Sequence, residues 1–408
     1  MTERTRDIAI VGAGPSGLAT AMHLVRLDPV WSGRIIILEK AAHPRPKQCA
    51  GAITRLGLDQ LSLLGLTLDV PFAEIDELRF HYRNRSVSVR GRPIIVVAWR
   101  QEFDAWLASK ARRMGIEILE GSPVQRLERA ENLTLLHTPR ETIPARVVVG
   151  ADGSTGRVRR WLGARERRPH VARLLQVVTQ ATGDESEFRD RVARLDFSGL
   201  QARLQGYYWD LPSLVEGGPR MSSGVYDARV SSRRARASLP DQLTVGILRG
   251  ERQGEKLRLQ GHPIHWFSPY NCFSGPGAIL VGDAAGVDPV FGEGIGVALA
   301  YGGIAARAIQ SAFHRRDFAF STYRRRLLFS PLGGYLIRRW LVGSIAYRFG
   351  GSDIFVRALW IAATLLAPLA SQPSRSPALP DSGQTDRVGQ DSEDDLRRRA
   401  GSVTDTGV

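Results

Sequence analysis

DIAIVGAGPSGLATA, residues 7–21, carries Gly12, Gly14 and Gly17 in the spacing G-x-G-x-x-G directly after an apolar run. Residues 8–11 read as a strand. Gly12 allows the tight turn after it, Gly14 lets the backbone approach a pyrophosphate, and Gly17 lets the next helix pack closely on the strand. The N-terminus of that helix, at Pro15 and Ser16, offers unpaired N–H groups and a positive dipole end to phosphates. A second strand over 34–38 ends in Glu39, positioned to accept hydrogen bonds from an adenosine ribose. The insert 28–33 accounts for a separation somewhat longer than the usual ~20 residues. Taken alone, the segment also reads as a glycine-rich turn without a nucleotide.

Two later segments narrow the ligand. VVVGADGSTGRVR covers residues 147–159, and ILVGDAAGVDPVFGEGIGVALA covers residues 279–300. In the latter, 279–281 reads as a strand that delivers Gly282 and Asp283 at its carboxyl end, where open α/β sheets bind ligands. A helix starts near Gly294, Ile295 and Gly296 and runs through 309; its N-terminus suits negative charge on a reduced flavin. Asp283 as a simple helix cap or turn aspartate is the plainer alternative. The three segments in this order ask for FAD, with its flavin deep in the protein.

At these residues the chain resembles the FAD-dependent oxidoreductases of the p-hydroxybenzoate hydroxylase type, over roughly residues 1–310. The resemblance gives Asp283 a role on the flavin ribityl chain. In the middle segment the group shows D-G-x-x-S-x-x-R, and here Asp152, Gly153 and Arg159 match while Gly156 replaces the serine. Two further stretches resemble the geranylgeranyl reductases within that group. PKQCAGA, residues 46–52, is similar to their P-x-x-C-G-G segment with Ala50 for the first glycine, and YYWDLP, residues 207–212, to their Y-x-W-x-F-P motif with Leu211 for phenylalanine. Gly224 is followed by Val225 where the family has a glycine pair.

The resemblance implies a glutathione-reductase-type, Rossmann-like α/β FAD-binding domain interleaved with an α+β antiparallel-sheet substrate domain and followed by a C-terminal helical region. It places Cys49 beside the isoalloxazine and the substrate double bond, and Tyr207 and Trp209 along an apolar tunnel. Ala50, Gly51, Arg100, Val124 and Asp152 join the cofactor's surroundings. The implied activity is reduction of isolated double bonds of a polyprenyl lipid or diphosphate, with NADPH or reduced ferredoxin as electron donor. An unactivated alkene offers little charge to stabilise, so catalysis rests on positioning and exclusion of water. Cys49 also reads as a small, buried, apolar residue, and Cys272 as structural.

Boundaries follow from these segments. Residues 1–70, 95–165 and 273–312 are expected in the FAD-binding domain and 71–94 and 166–272 in the substrate domain. Strands are expected over 76–82 and 85–90 as a pair around Arg83 and Asn84, then over 94–99, 174–181, 193–197 and 243–248. A small hairpin excursion is expected within 120–149, and Arg100 opens an amphipathic helix. Residues 371–408 are polar and Pro/Ser/Asp-rich, which predicts disorder.

The 408 residues hold 56 Lys and Arg against 41 Asp and Glu, a formal charge of +15 that asks for an anionic partner. Arginines cluster in 313–370 among bulky apolar residues, and the apolar run 354–370 is interrupted by Arg357 and Pro368. About 20 apolar residues span a bilayer, so this pattern predicts a helical region lying on an anionic membrane surface or packed on the base, or both. No nucleic-acid recognition fold accompanies the charge. Two distant cysteines exclude a disulfide framework, and no metal-ligand spacing occurs. Arg4, Arg6 and Asp7 lead straight into the first strand, so a cytoplasmic chain, peripheral at the inner membrane face, is expected. A flavin-dependent aromatic or polyketide monooxygenase is the alternative on the same three segments, and a non-enzymatic FAD-binding membrane protein is a third. The W-x-W-x-I-P signature of tryptophan halogenases is absent.

Overall fold

The strand Arg6–Val11 lies within an eight-stranded sheet in the order Ser274–Gly275, Ala278–Leu280, Thr142–Gly150, Arg6–Val11, Ile35–Leu38, Glu117–Leu119. A computed structural model describes residues 5–163, 170–230, 237–249 and 259–371 of the chain. The central strands pair in parallel, with Ile8 opposite both Ile35 and Val147. Ile8, Ile10, Ile35, Ile37, Val147 and Val149 are sealed from solvent, as expected for parallel strands covered on both faces. The expected excursion is present as the hairpin Arg126–Ala130 and Leu133–His137, attached to Thr142–Gly150.

The helix Pro15–Leu27 packs on this sheet, and the helix Ile295–Arg315 packs on that helix. They cross so closely that a Cβ at Gly302 would stand 2.7 Å from the Ala19 backbone. A side chain there forces the helices apart. The second sheet has the order Gln260–His265, Val171–Gln180, Gly218–Asp227, Gly206–Val215, Val192–Asp196, Phe72–Tyr82, Arg85–Ala98, Ala52–Thr54. It is mostly antiparallel, with Val192–Asp196 running parallel to Phe72–Tyr82. One of its faces is closed by the helix Leu239–Arg249 through Leu243 and Ile247 against Tyr208, Val177 and Val225.

Two expectations are corrected here. Residues 243–248 are not a strand but lie within the helix Leu239–Arg249. Leu243 and Ile247 stand four apart on its buried side, and Gly246 faces the Tyr208 ring, where a Cβ would sit 2.3 Å away. Packing at helical spacing overrides the strand preference of the Thr244–Val245 pair. The stretches 85–90 and 94–99 are one strand, Arg85–Ala98, which passes through Pro93 and crosses position 94/95. Its pairing shifts between Ile75 and Glu77, opposite residues 91–94, so Pro93 lies at a bulge where the ladder needs no N–H from it.

Three helices follow Ile295–Arg315: Tyr323–Leu328, Pro331–Phe349 and Asp353–Ala370. Among the described residues no helix is long and apolar enough to cross a membrane. The tail expected to be disordered lies outside the described residues, apart from Ser371.

Candidate active site

The turn after the first strand behaves as its glycines require. Gly12 has φ +107°, and a Cβ there would lie 2.4 Å from the Ala151 carbonyl oxygen; at Gly17 it would lie 2.1 Å from the Gly12 oxygen. Gly14 differs: a Cβ would meet nothing nearer than Arg45 at 3.9 Å, so its open side is room for a ligand. Gly14 is the N-cap of Pro15–Leu27, no side chain caps that helix, and Pro15 stands in its first turn. The N–H groups of its first turn are therefore left to an anion. Ser16 is buried, its Oγ lying where a Cβ on Gly282 would come within 2.5 Å.

Glu39 is buried at the end of its strand and accepts hydrogen bonds from the N–H groups of Ala13 (2.8 Å) and Ala41 (3.1 Å). From there a chain of charges runs inward. Arg45 lies 3.5 Å from Glu39 and 3.4 Å from Asp104, and Arg100 donates two bonds of 2.9 Å to Asp104. Asp104 is fully enclosed. Burial works against the Arg100 charge, but Asp104 and then Cys49 outweigh it and raise the guanidinium's pKa. Val124 is buried in the connection after Glu117–Leu119, two residues beyond Ser122, whose N–H bonds the Glu39 carbonyl.

The loop carrying Cys49 is held from above at two points. Gln176 Nε2 donates to the Cys49 carbonyl at 3.1 Å, and Lys47 Nζ lies 3.0 Å from His262 Nε2. Gln176 and His262 share one face of the second sheet, since Gln176 pairs with Gln260 and Leu174 with His262. Burial pushes the Lys47 ammonium down, and burial together with Lys47 pushes His262 down to about 4. Lys47 has no carboxylate partner among the described residues, and it feels Asp283, Arg100 and Cys49. Gly51, at φ +84°, closes the loop where a Cβ would lie 2.3 Å from the Ala98 carbonyl; Ala50 precedes it and is half-buried.

Tyr207 and Trp209 project from Gly206–Val215 on the same face as Gln176, because Trp209 pairs with Gly224 and Gly224 with Gln176. The indole lies across Gly224, where a Cβ would be 2.1 Å from the ring; this is why a glycine stands there. Tyr207 is ringed by Phe197, Trp209, Tyr226 and Phe291, at centroid distances of 5.3, 6.2, 5.6 and 5.9 Å. Its hydroxyl donates to the Phe291 carbonyl at 2.6 Å, and burial, then Asp288, raises its pKa. Trp209 Nε1 and Gln176 Oε1 are buried without a hydrogen-bond partner. Buried polar atoms left open in this way mark where a ligand completes the site.

Asp283 accepts from Ser154 Oγ at 3.3 Å, and Ser154 is in turn fixed by the His265 N–H. Gly294 is the N-cap of Ile295–Arg315, again with no side-chain cap, and its missing Cβ would be 3.8 Å from Asp283 Oδ1. Gly296 has a different reason: a Cβ there would meet Gly57 of the helix Arg55–Leu63 at 2.8 Å, so it serves helix packing. Asp152 also departs from expectation. Its carboxylate accepts the N–H groups of Arg157 and Val158 at the start of the helix Arg157–Trp161. A Cβ at Gly156 would collide with that carboxylate at 2.2 Å, which is why the family's serine cannot stand here in this arrangement.

Lys47 feels Asp283, Arg100 and Cys49, and Tyr207 feels Cys49, so these residues are brought together between the sheets, while Asp152 stands beside the Gly12 turn. Residues that the sequence reading did not single out are Lys47, Gln176, His262 and Glu293. Glu293 accepts from Thr54 and from Tyr335 (2.6 Å), which pins the loop 288–293 between the end of the strand Ala52–Thr54 and the helix Pro331–Phe349. The uncapped helix N-termini, the open side of Gly14 and the orphaned indole and amide atoms fit FAD at this place.

Comparison with known proteins agrees with that fit. Residues 5–193 match the FAD binding domain family. The chain is 29% identical over 330 residues to the geranylgeranyl diphosphate reductase of Rhodobacter capsulatus, covering 74% of each. A geranylgeranyl bacteriochlorophyll reductase-like protein from Thermoplasma acidophilum has a TM-score of 0.73 at 20% identity, over 92% of this chain and 94% of that one. CmlS, a flavin-dependent halogenase, has a TM-score of 0.64 at 18% identity, over 97% and 77%. The two structural likenesses are likenesses of fold.

Proposed function

We propose that this chain, an FAD-dependent oxidoreductase similar to the geranylgeranyl reductases, saturates isolated double bonds of a polyprenyl lipid or diphosphate. The observation that carries the reading is the pairing of Cys49 with an aromatic wall. Gln176 ties the Cys49 loop to the sheet face that bears Tyr207, Trp209 and Tyr226. Bound FAD supplies the hydride, replenished from NADPH or reduced ferredoxin.

The chain's own residues do the positioning. Gly12, Gly14 and the first turn of Pro15–Leu27 hold the pyrophosphate, and Glu39 the adenosine ribose. Asp283 and the N-terminus of Ile295–Arg315 hold the ribityl and pyrimidine end, where the positive dipole end favours negative charge. Tyr207 and Tyr226 spend their hydroxyls on the carbonyls of Phe291 and Pro289, so they present rings, not donors, to the cleft. Such a wall suits an isoprenoid chain and keeps water from the reacting carbons. In this reading the Cys49 thiol delivers the proton that completes the saturated bond.

The variant Tyr207→Ala/Trp209→Ala is expected to keep its FAD and to lose about a hundredfold in the rate of prenyl reduction, the cost of a misplaced substrate. Flavin absorbance reports the first and product mass the second. A double variant that reduces prenyl chains at the wild-type rate would remove the basis for the reading. A second reading on the same three glycine-rich segments, an oxygen-using monooxygenase, predicts turnover that stops when oxygen is withdrawn.

A further inference from the structure

The helix Pro331–Phe349 presents two different faces. Its inner face buries Leu332, Leu336 and Tyr347 and grips the site loop: Tyr335 bonds Glu293, Arg339 lies 3.7 Å from Asp288, and Tyr347 donates to the Val290 carbonyl. Its outer face carries Arg338, Leu341, Val342, Ile345, Arg348 and Phe349 at helical spacing, all exposed. The helix Asp353–Ala370 repeats the pattern. Val356, Trp360 and Ala367 pack on Tyr82 and Val87, while Ile354, Ile361 and Leu365 on its other side are 83%, 56% and 72% exposed. Residues 354, 358, 361, 362 and 365 form one stripe at helical spacing, every member apolar and exposed.

Apolar exposure of this extent on a helix pair marks an interaction surface. The charge around it selects the partner. Residues 323–371 hold seven arginines and a single acidic residue, Asp353. Arg357 is paired with Asp353 and Arg339 with Asp288, whereas Arg325, Arg338 and Arg348 have no carboxylate partner among the described residues. A second copy of this chain meeting the same face would set arginine against arginine. Nucleic acid offers the phosphates but nothing for the leucines and isoleucines. A surface that is anionic at its rim and hydrocarbon beneath satisfies both.

We infer that the outer faces of Pro331–Phe349 and Asp353–Ala370 dock on an anionic lipid bilayer, with the apolar stripe in the headgroup–acyl boundary and the arginines among the lipid phosphates. The same helix grips residues 288–293 from its other side, so docking brings the site loop next to the bilayer. The inference stands on exposure and charge and does not depend on which double bond is reduced.

The test is flotation of the full chain with phosphatidylcholine vesicles, with and without phosphatidylglycerol. Binding is expected to the anionic vesicles and to fall as salt is raised. Arg338→Ala/Arg348→Ala should weaken it roughly 25-fold, at about fivefold per arginine near such a surface. Ile361→Ser/Leu365→Ser should weaken it too, and both variants should keep wild-type flavin absorbance because the altered side chains are exposed. A wild-type chain that fails to float with either vesicle overturns the inference. So does a wild-type dimer, measured by light scattering, that Ile361→Ser/Leu365→Ser converts to a monomer, for the stripe would then be a subunit contact.

Discussion

Gly12→Ala yields protein that purifies almost without flavin. The alanine Cβ would be forced to 2.4 Å from the Ala151 carbonyl oxygen, a backbone atom that cannot swing aside, at φ +107° where L side chains are strained. Strain of this kind costs about 1–3 kcal/mol, and overlap with fixed atoms about as much again. Relieving it moves Gly12 off the Leu38 carbonyl, to which its N–H donates at 2.8 Å, and so shifts the turn that aims the helix N-terminus. FAD occupancy, read as flavin absorbance per mole of folded protein, should fall to below about a tenth of wild type, a loss of more than about 1.4 kcal/mol in binding. Gly33→Ala is the control. A Cβ there meets nothing within 4 Å, so this variant should stay yellow. Gly12→Ala protein with full flavin would place the pyrophosphate elsewhere.

Arg100→Met should cost about 3–5 kcal/mol of stability, the usual result of stripping one partner from a buried ion pair. Asp104 is fully enclosed and takes both of its short bonds from Arg100; Arg45, at 3.4 Å, is the cation left to it. The loss should appear as a lower urea midpoint at unchanged slope. Adding Asp104→Leu removes the stranded carboxylate and should recover more than half of the loss, since replacing both partners by apolar groups is far less costly than replacing one. If the single variant unfolds at the wild-type midpoint, Asp104 is not held by Arg100 in solution.

The nucleotide-binding half was legible because its demands are local. A turn needing φ +107° at Gly12, a close approach at Gly17 and a helix opened by Pro15 are written within six consecutive residues. Tyr207 and Trp209 were reached through the resemblance to the Y-x-W-x-F-P motif, and both stand in the strand Gly206–Val215. What joins the halves was not legible. The contacts of Gln176 to Cys49 and of Lys47 to His262 link residues 127 and 215 positions apart, and neither pair has a local signature. Asp152 and Gly156 show a motif matched in part. The motif's aspartate is present, but the missing side chain at Gly156 lets its carboxylate fold back onto the helix Arg157–Trp161. Residues 243–248 misled through β-branched composition, because the Tyr208 ring that fixes their helical packing lies in a distant strand.

Cys49 and the Tyr207–Trp209 wall are proposed to serve prenyl reduction at a flavin. The most direct test is anaerobic: photoreduce the purified flavoprotein, add geranylgeranyl diphosphate, and follow the oxidised-flavin absorbance band together with product mass. The band is expected to return without oxygen while the product gains two hydrogens for each double bond reduced. Flavin that stays reduced with geranylgeranyl diphosphate and with a prenyl-lipid extract, and reoxidises only when oxygen is admitted, would contradict it.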